Sequence, residues 1–153
     1  MTRYWLCIVD EGSWEIVKRK CIWGVSDRHK KKLEMVGEGD LMFFYIKPTR
    51  VGGIFKCVSK PYVDREKIFG GEELFPNRIK LKPIVVLESP LDFKPLIPKL
   101  KFIAKKRKRR GKKRWGTYLF GKAIKPIPYA DYKTIKSELA GERGASAGKA
   151  FQV

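Results

Sequence analysis

Nine of the ten residues from Lys105 to Arg114 are basic: Lys105, Lys106, Arg107, Lys108, Arg109, Arg110, Lys112, Lys113 and Arg114, interrupted by Gly111 alone. No packed core can hold such a run, because each unpaired buried charge costs several kcal/mol. The segment must lie in solvent, where it repels itself unless an anion neutralises it. Over 153 residues, 35 Lys and Arg against 16 Asp and Glu leave a net charge of +19. Setting aside this run and Lys101 still leaves +9. A field of that sign draws polyanions from a distance and speeds their capture, and nucleic acid is the commonest polyanion in a cell. The competing reading is a solvated loop on a basic protein without a partner.

The length suits one domain. With 43% hydrophobic and 12% aromatic residues the chain can bury a core, unlike a disordered one. No apolar stretch approaches a membrane span, and the start, MTRYWLCIVDEG, lacks the length and cleavage site of a signal peptide. These features predict a soluble, cytoplasmic protein with no membrane contact. Cys7, Cys21 and Cys57 are widely spaced and His29 is the sole histidine, a poor ligand set for a structural zinc. We expect neither metal nor cofactor. Asn77 is the only asparagine and Gln152 the only glutamine; scarcity of these heat-labile amides marks a thermophile.

Periodicity and turn residues organise the chain. Arg3–Val9 reads as a buried strand. Ser13 sits at an N-cap position before a helix over Trp14–Lys20. Ile22–Val25 is extended, and Ser26-Asp27 starts a second helix running to Met35. Leu41–Ile46 (LMFFYI) is a core strand, and Ile54–Ser59 another. Asp64–Phe69 reads as a helical turn. In Arg78–Leu87 the basic residues Arg78, Lys80 and Lys82 alternate with apolar ones, giving a strand with one basic face; Pro83 requires an edge or a bulge there. Ser89–Leu100, with three prolines, is an irregular connection holding one helical turn. Trp115–Ile124 is one or two short strands, and a helix covers about Tyr129–Leu139 with Tyr132, Ile135 and Leu139 on one face. The small, polar, aperiodic segment 141–153 reads as a disordered tail behind a domain of residues 1–140. The expected class is α+β: a curved, partly closed β-barrel of five or six strands flanked by short helices.

The order of these pieces resembles one family, the EVE domain, a member of the PUA-like group related to the YTH readers of methylated adenine. The matching residues are Tyr4-Trp5-Leu6, Trp14 to Val25 ending in Trp23-Gly24-Val25, Gly39-Asp40 before Leu41–Tyr45, and Gly53–Val58. They continue with Pro61-Tyr62-Val63-Asp64, Phe75-Pro76 before Arg78–Leu81, Leu100-Lys101-Phe102, Arg114-Trp115 and Asp131-Tyr132. The resemblance implies a PUA-like barrel with a pocket for one base. Trp23 would form one wall, with Gly24 and Val25 beside it, Asp10 at the base edge and Ser26 at the rim. In the YTH readers a second tryptophan ends the strand that matches Arg78–Pro83, where this chain has no aromatic. Trp115 or Phe93 is left to supply that wall.

Each residue has a plainer role open to it. Trp23 serves equally as core, Trp115 as the anchor of a loop, and Asp10 as a helix cap. A base stacked on tryptophan gains ~1–3 kcal/mol, and only a single-stranded or flipped base offers its face. Catalysis is not expected, since a nucleophile–histidine–acid triad would have to use His29 among cations. The expected activity is a nucleic-acid-binding module that takes one, methylated, base in an aromatic pocket. Its phosphates would be held by residues 105–114 with Arg78, Lys80 and Lys82. The alternatives are a general RNA-binding or ribosome-associated protein without base selectivity, and a nucleic-acid-modifying enzyme or its targeting module.

Overall fold

A computed structural model describes residues 2–103 and 122–140, and the backbone of 150–152. The basic run 105–114 and Trp115 lie outside the described residues. In chain order the elements are β1 (Tyr4–Val9), α1 (Glu11–Lys20), β2 (Ile22–Val25), a 3-10 turn (Asp27–His29), α2 (Lys30–Leu33), β3 (Leu41–Ile46) and β4 (Arg50–Cys57). There follow β5 (Tyr62–Val63), β6 (Asn77–Asp92), a second 3-10 segment (Lys94–Lys99), β7 (Ile124–Pro126), α3 (Tyr129–Ala140) and β8 (Ala150–Gln152).

The strands form one mixed, curled sheet in the order β2-β6-β4-β3-β1-β7. β1 and β3 are parallel, Tyr4 facing Leu41 through Val9 facing Ile46; the other pairs are antiparallel. The 16-residue β6 holds the curl together by changing partners along its length. Its first residues lie between β2 and β5, and its later ones between β4 and β8. The register slips between Ile54, which faces Val85, and Phe55, which faces Pro83. This is the bulge that Pro83, with no N–H to give the ladder, requires.

The period of two divides the apolar residues into two layers. Trp5, Cys7 and Val9 of β1 with Met42, Phe44 and Ile46 of β3 point to one side, where Trp14, Val17, Trp23 and Leu33 join them. Leu6, Phe43 and Tyr45 point to the other, beneath Leu96, Ile97, Tyr132, Ile135 and Leu139. The α1 helix docks so closely that a Cβ on Gly52 would lie 2.4 Å from Cζ2 of Trp14; glycine is what the contact needs.

Two buried carboxylates fix neighbouring chain segments in place. Asp40 accepts from the backbone N–H of Arg3 (2.9 Å), the indole N–H of Trp5 (3.0 Å) and the N–H of Gly37 (2.8 Å). Asp131 accepts from the N–H groups of Lys101 (2.7 Å) and Phe102 (2.8 Å). Buried acids survive only when so satisfied. Three of the matched sequence pieces, Gly39-Asp40, Lys101-Phe102 and Asp131-Tyr132, thus have structural work.

Two expectations differ from the structure. Asp64–Phe69 is irregular rather than helical; its Glu66 carbonyl accepts from Arg78 and its Asp64 side chain from the Glu66 N–H, local bonds that take the place of a helical ladder. Ala150–Gln152 pairs with Val85–Leu87 as β8, although the composition of 141–153 reads as a tail. A bare stretch of β6 offers unpaired backbone groups to any extended segment that reaches it.

Candidate functional site

The α1 helix begins at Asp10, not at Ser13. The Asp10 carboxylate Oδ1 accepts from the Ser13 N–H at 2.7 Å, which satisfies one of the N–H groups left over at a helix start. Asp10 remains exposed and stands at the mouth of a hollow of about 860 Å³. The hollow opens where β1 and β2 end and where the 70–75 loop and Lys122-Ala123 come alongside.

Trp23 lies at its inner end. The indole packs edge-to-face on Phe44, with centroids 5.5 Å apart and planes at 89°, and only 2% of the residue is exposed. It is therefore a core residue that also lines the hollow, and not an open wall. Gly24 comes next. A Cβ there would sit 2.5 Å from the Phe75 carbonyl oxygen, a backbone atom that cannot give way, so the glycine lets the 64–76 loop close over β2.

That loop is held from below by Arg78. The guanidinium is 1% exposed and donates from Nε to the Phe75 carbonyl (3.0 Å) and from Nη2 to the carbonyls of Leu74 (3.2 Å) and Glu66. Its Nη1 lies 3.7 Å from Asp64 Oδ2, and the group stacks 5.5 Å from the centre of Phe69. Phe75 consequently holds a left-handed backbone (φ +49), which a side chain adopts only when its surroundings impose it. Arg78 was expected to hold phosphate. It cannot, because its donors are spent on the chain and the loop covers it. The neighbours in the alternation, Lys80 and Lys82, are exposed as expected.

The rim carries both signs: Asp10, Asp27, Glu72 and Glu73 against Arg28, Lys47 and Lys122. Asp27 Oδ1 accepts from Asn77 Nδ2 at 2.9 Å. His29 also lines the hollow. Burial and then the Arg28 charge hold its imidazole below the usual range, with Glu73 pulling the other way. It is mostly uncharged at neutral pH, able both to donate and to accept.

A family model for the EVE domain matches residues 3–137. The chain belongs to the EVE domain family. Among its relatives, the UPF0310 protein of Pyrococcus abyssi is 44% identical over 148 residues, covering 89% of this chain and 99% of the relative. The UPF0310 protein of Pyrococcus horikoshii is 40% identical, over 89% and 98%. Among solved structures, human THYN1 in complex with 5-methylcytosine-containing DNA aligns at a TM-score of 0.59 with 16% identity, over 92% of this chain and 99% of that one. The YTH domain of Zygosaccharomyces rouxii MRB1 in complex with N6-methyladenosine RNA aligns at 0.58 with 17% identity, over 88% and 85%. At such identities the likeness shows the PUA-like fold.

Of the pocket residues that the EVE resemblance named, Trp23, Asp10, Gly24, Val25 and Ser26 all line the one hollow. Phe93 does not. It is fully buried in the opposite layer, edge-to-face on Tyr45 at 5.0 Å, since its position just after β6 turns it beneath the second 3-10 segment. Reading the sequence missed Asp27, Arg28, His29, Lys47, Glu72, Glu73, Phe75 and Lys122, which come from the 3-10 turn after β2, the residue after β3, the 70–75 loop and the approach to β7. The Gly70-Gly71 pair and Phe75-Pro76 were the available signal. Among the described residues no group of three or more His, Cys, Asp or Glu is placed to hold a metal, and no helix is long and apolar enough to cross a membrane.

Proposed function

We propose that this EVE domain is a nucleic-acid-binding module that receives one methylated base in the hollow, from a single strand or flipped out of a duplex. The observation that carries this reading is the convergence of Asp10, Trp23 and Gly24–Ser26, from two strand ends and a helix start, on one cavity of about 860 Å³. The +19 net charge supports a polyanionic partner. So do the complexes formed by similarly folded proteins, one with methylated DNA and one with methylated RNA. In this reading the 105–114 run, Lys80 and Lys82 hold phosphates while the hollow reads the base, the usual division between positioning and specifying contacts.

Trp23 is nearly closed over, so a base that stacks on it must displace neighbouring lining side chains, with Phe75 as the second aromatic surface. Asp10 has one oxygen engaged in the helix cap; the other is available to the exocyclic amino group of adenine or cytosine. Burying a methyl adds about 0.8 kcal/mol, roughly fourfold in affinity.

Matched single strands carrying adenine or N6-methyladenine, and cytosine or 5-methylcytosine, test this by fluorescence anisotropy. The methylated strand should bind a few-fold tighter. Asp10→Asn should shrink the preference for amino-bearing bases without unfolding the helix, because Asn caps as well as Asp while its amide can turn either face to the base. Deleting 105–114 should weaken every strand alike, flatten the salt slope by about 0.7 per lost phosphate contact, and leave the methyl ratio intact. If the wild-type protein binds all four strands equally, general RNA binding without base selectivity replaces this reading.

A further inference from the structure

On the face of the sheet opposite Phe55 and Cys57, two lysines stand directly across from one another. Lys56 of β4 and Lys82 of β6 are Cα partners in the antiparallel ladder, so their side chains leave the same face as close neighbours. Both are exposed, and Lys80, two residues earlier on β6, is exposed on that face too. Among the described residues, none of the three has a carboxylate oxygen within 4.0 Å. Lys80 Nζ instead lies 5.9 Å from the ring centre of Tyr62 on β5. Like charges placed opposite in a ladder destabilise it. An acid at either position would have turned the repulsion into attraction.

We propose that Lys56, Lys80 and Lys82 form a phosphate-tracking face for single-stranded nucleic acid, with a phosphate between Lys56 and Lys82 relieving their repulsion and Tyr62 offering a ring to a neighbouring base. The 64–76 loop, pinned by Arg78, separates this face from the hollow, so one strand can meet the two as distinct surfaces. The charge on the patch and the aromatic beside it match what a sugar-phosphate strand presents: a row of anions alternating with π-faces. This rests on the reading above for the class of partner, while Lys56 and Tyr62 are new to it.

The test compares Lys56→Glu and Lys82→Glu with Lys136→Glu, an equal change of charge at an exposed site on α3. The probe is a mixed-sequence single-stranded RNA oligonucleotide titrated at several salt concentrations. Lys56→Glu should melt at or above the wild-type temperature, since a cross-strand ion pair with Lys82 replaces repulsion, and yet bind more weakly. Its salt slope should fall by about 0.7 more than that of Lys136→Glu, and so should that of Lys82→Glu, because the two lysines hold one phosphate between them. The ratio between methylated and plain strands should be the same in all of them. If Lys56→Glu and Lys136→Glu alter the slope equally, the face makes no phosphate contact and the proposal is overturned. A wild-type protein indifferent to methylation that still shows the extra slope loss would retire the hollow as a base reader and keep this face.

Discussion

Trp23→Ala is expected to remove about 3–5 kcal/mol of folding stability, the cost of emptying a large aromatic site in a packed core. For a chain of this size that lowers the melting temperature by on the order of 10 °C. The sequence alone left two outcomes open, a pocket wall whose loss spares folding and a core residue whose loss does not. Burial to 2% exposure and the edge-to-face contact with Phe44 decide for the second. Trp23→Phe should recover much of the loss by keeping a ring against Phe44. Calorimetry of both variants is the check, and an alanine variant melting within about 2 °C of wild type would contradict the packing described. Binding assays on Trp23→Ala therefore need a fold control. Asp10→Asn is the cleaner probe of the hollow.

Arg78→Met should be nearly as damaging, for a polar reason. Methionine matches the stem but brings no donors, leaving the carbonyls of Glu66, Leu74 and Phe75 without the partners they now have. Each loss costs on the order of 1–3 kcal/mol where water cannot replace the donor, and about 3 kcal/mol in total is expected, since Asp64 is half exposed and stays solvated. The damage should be local. Amide exchange should quicken over residues 64–76, the segment that builds one wall of the hollow, more than in β1 or β3. Arg78→Lys should rescue little, because a single ammonium cannot reproduce the planar fork that reaches three carbonyls. Exchange in the 64–76 loop unchanged from wild type would show that the loop holds its shape without the clamp.

Much of this molecule was legible in one dimension. Strands such as Leu41–Ile46 and Tyr4–Val9 announce themselves because a buried strand must be apolar on both faces, and Pro83 announces a bulge because it lacks a donor. The EVE resemblance placed five residues that do line one hollow, since a family's motifs carry positions that local pattern cannot. Trp23 and Arg78 were the places where local reading stopped short. Alternation put Arg78 in a row with Lys80 and Lys82, and nothing in the strand itself reveals that a loop from residues 64–76 lies over the first of the three and not the others.

What the sequence determined by itself was the class of fold, the sign of the field around it, and the periods that sort side chains into two layers, all of which follow from each residue's own chemistry and its spacing to near neighbours. What only the tertiary structure decided was which residues share a surface. The hollow gathers Asp10, His29, Lys47, Glu73 and Lys122, and the ladder sets Lys56 against Lys82. Such neighbours lie tens of residues apart in sequence, and they meet because the curl of the sheet and the register of its strands, fixed by packing over the whole domain, bring those positions together.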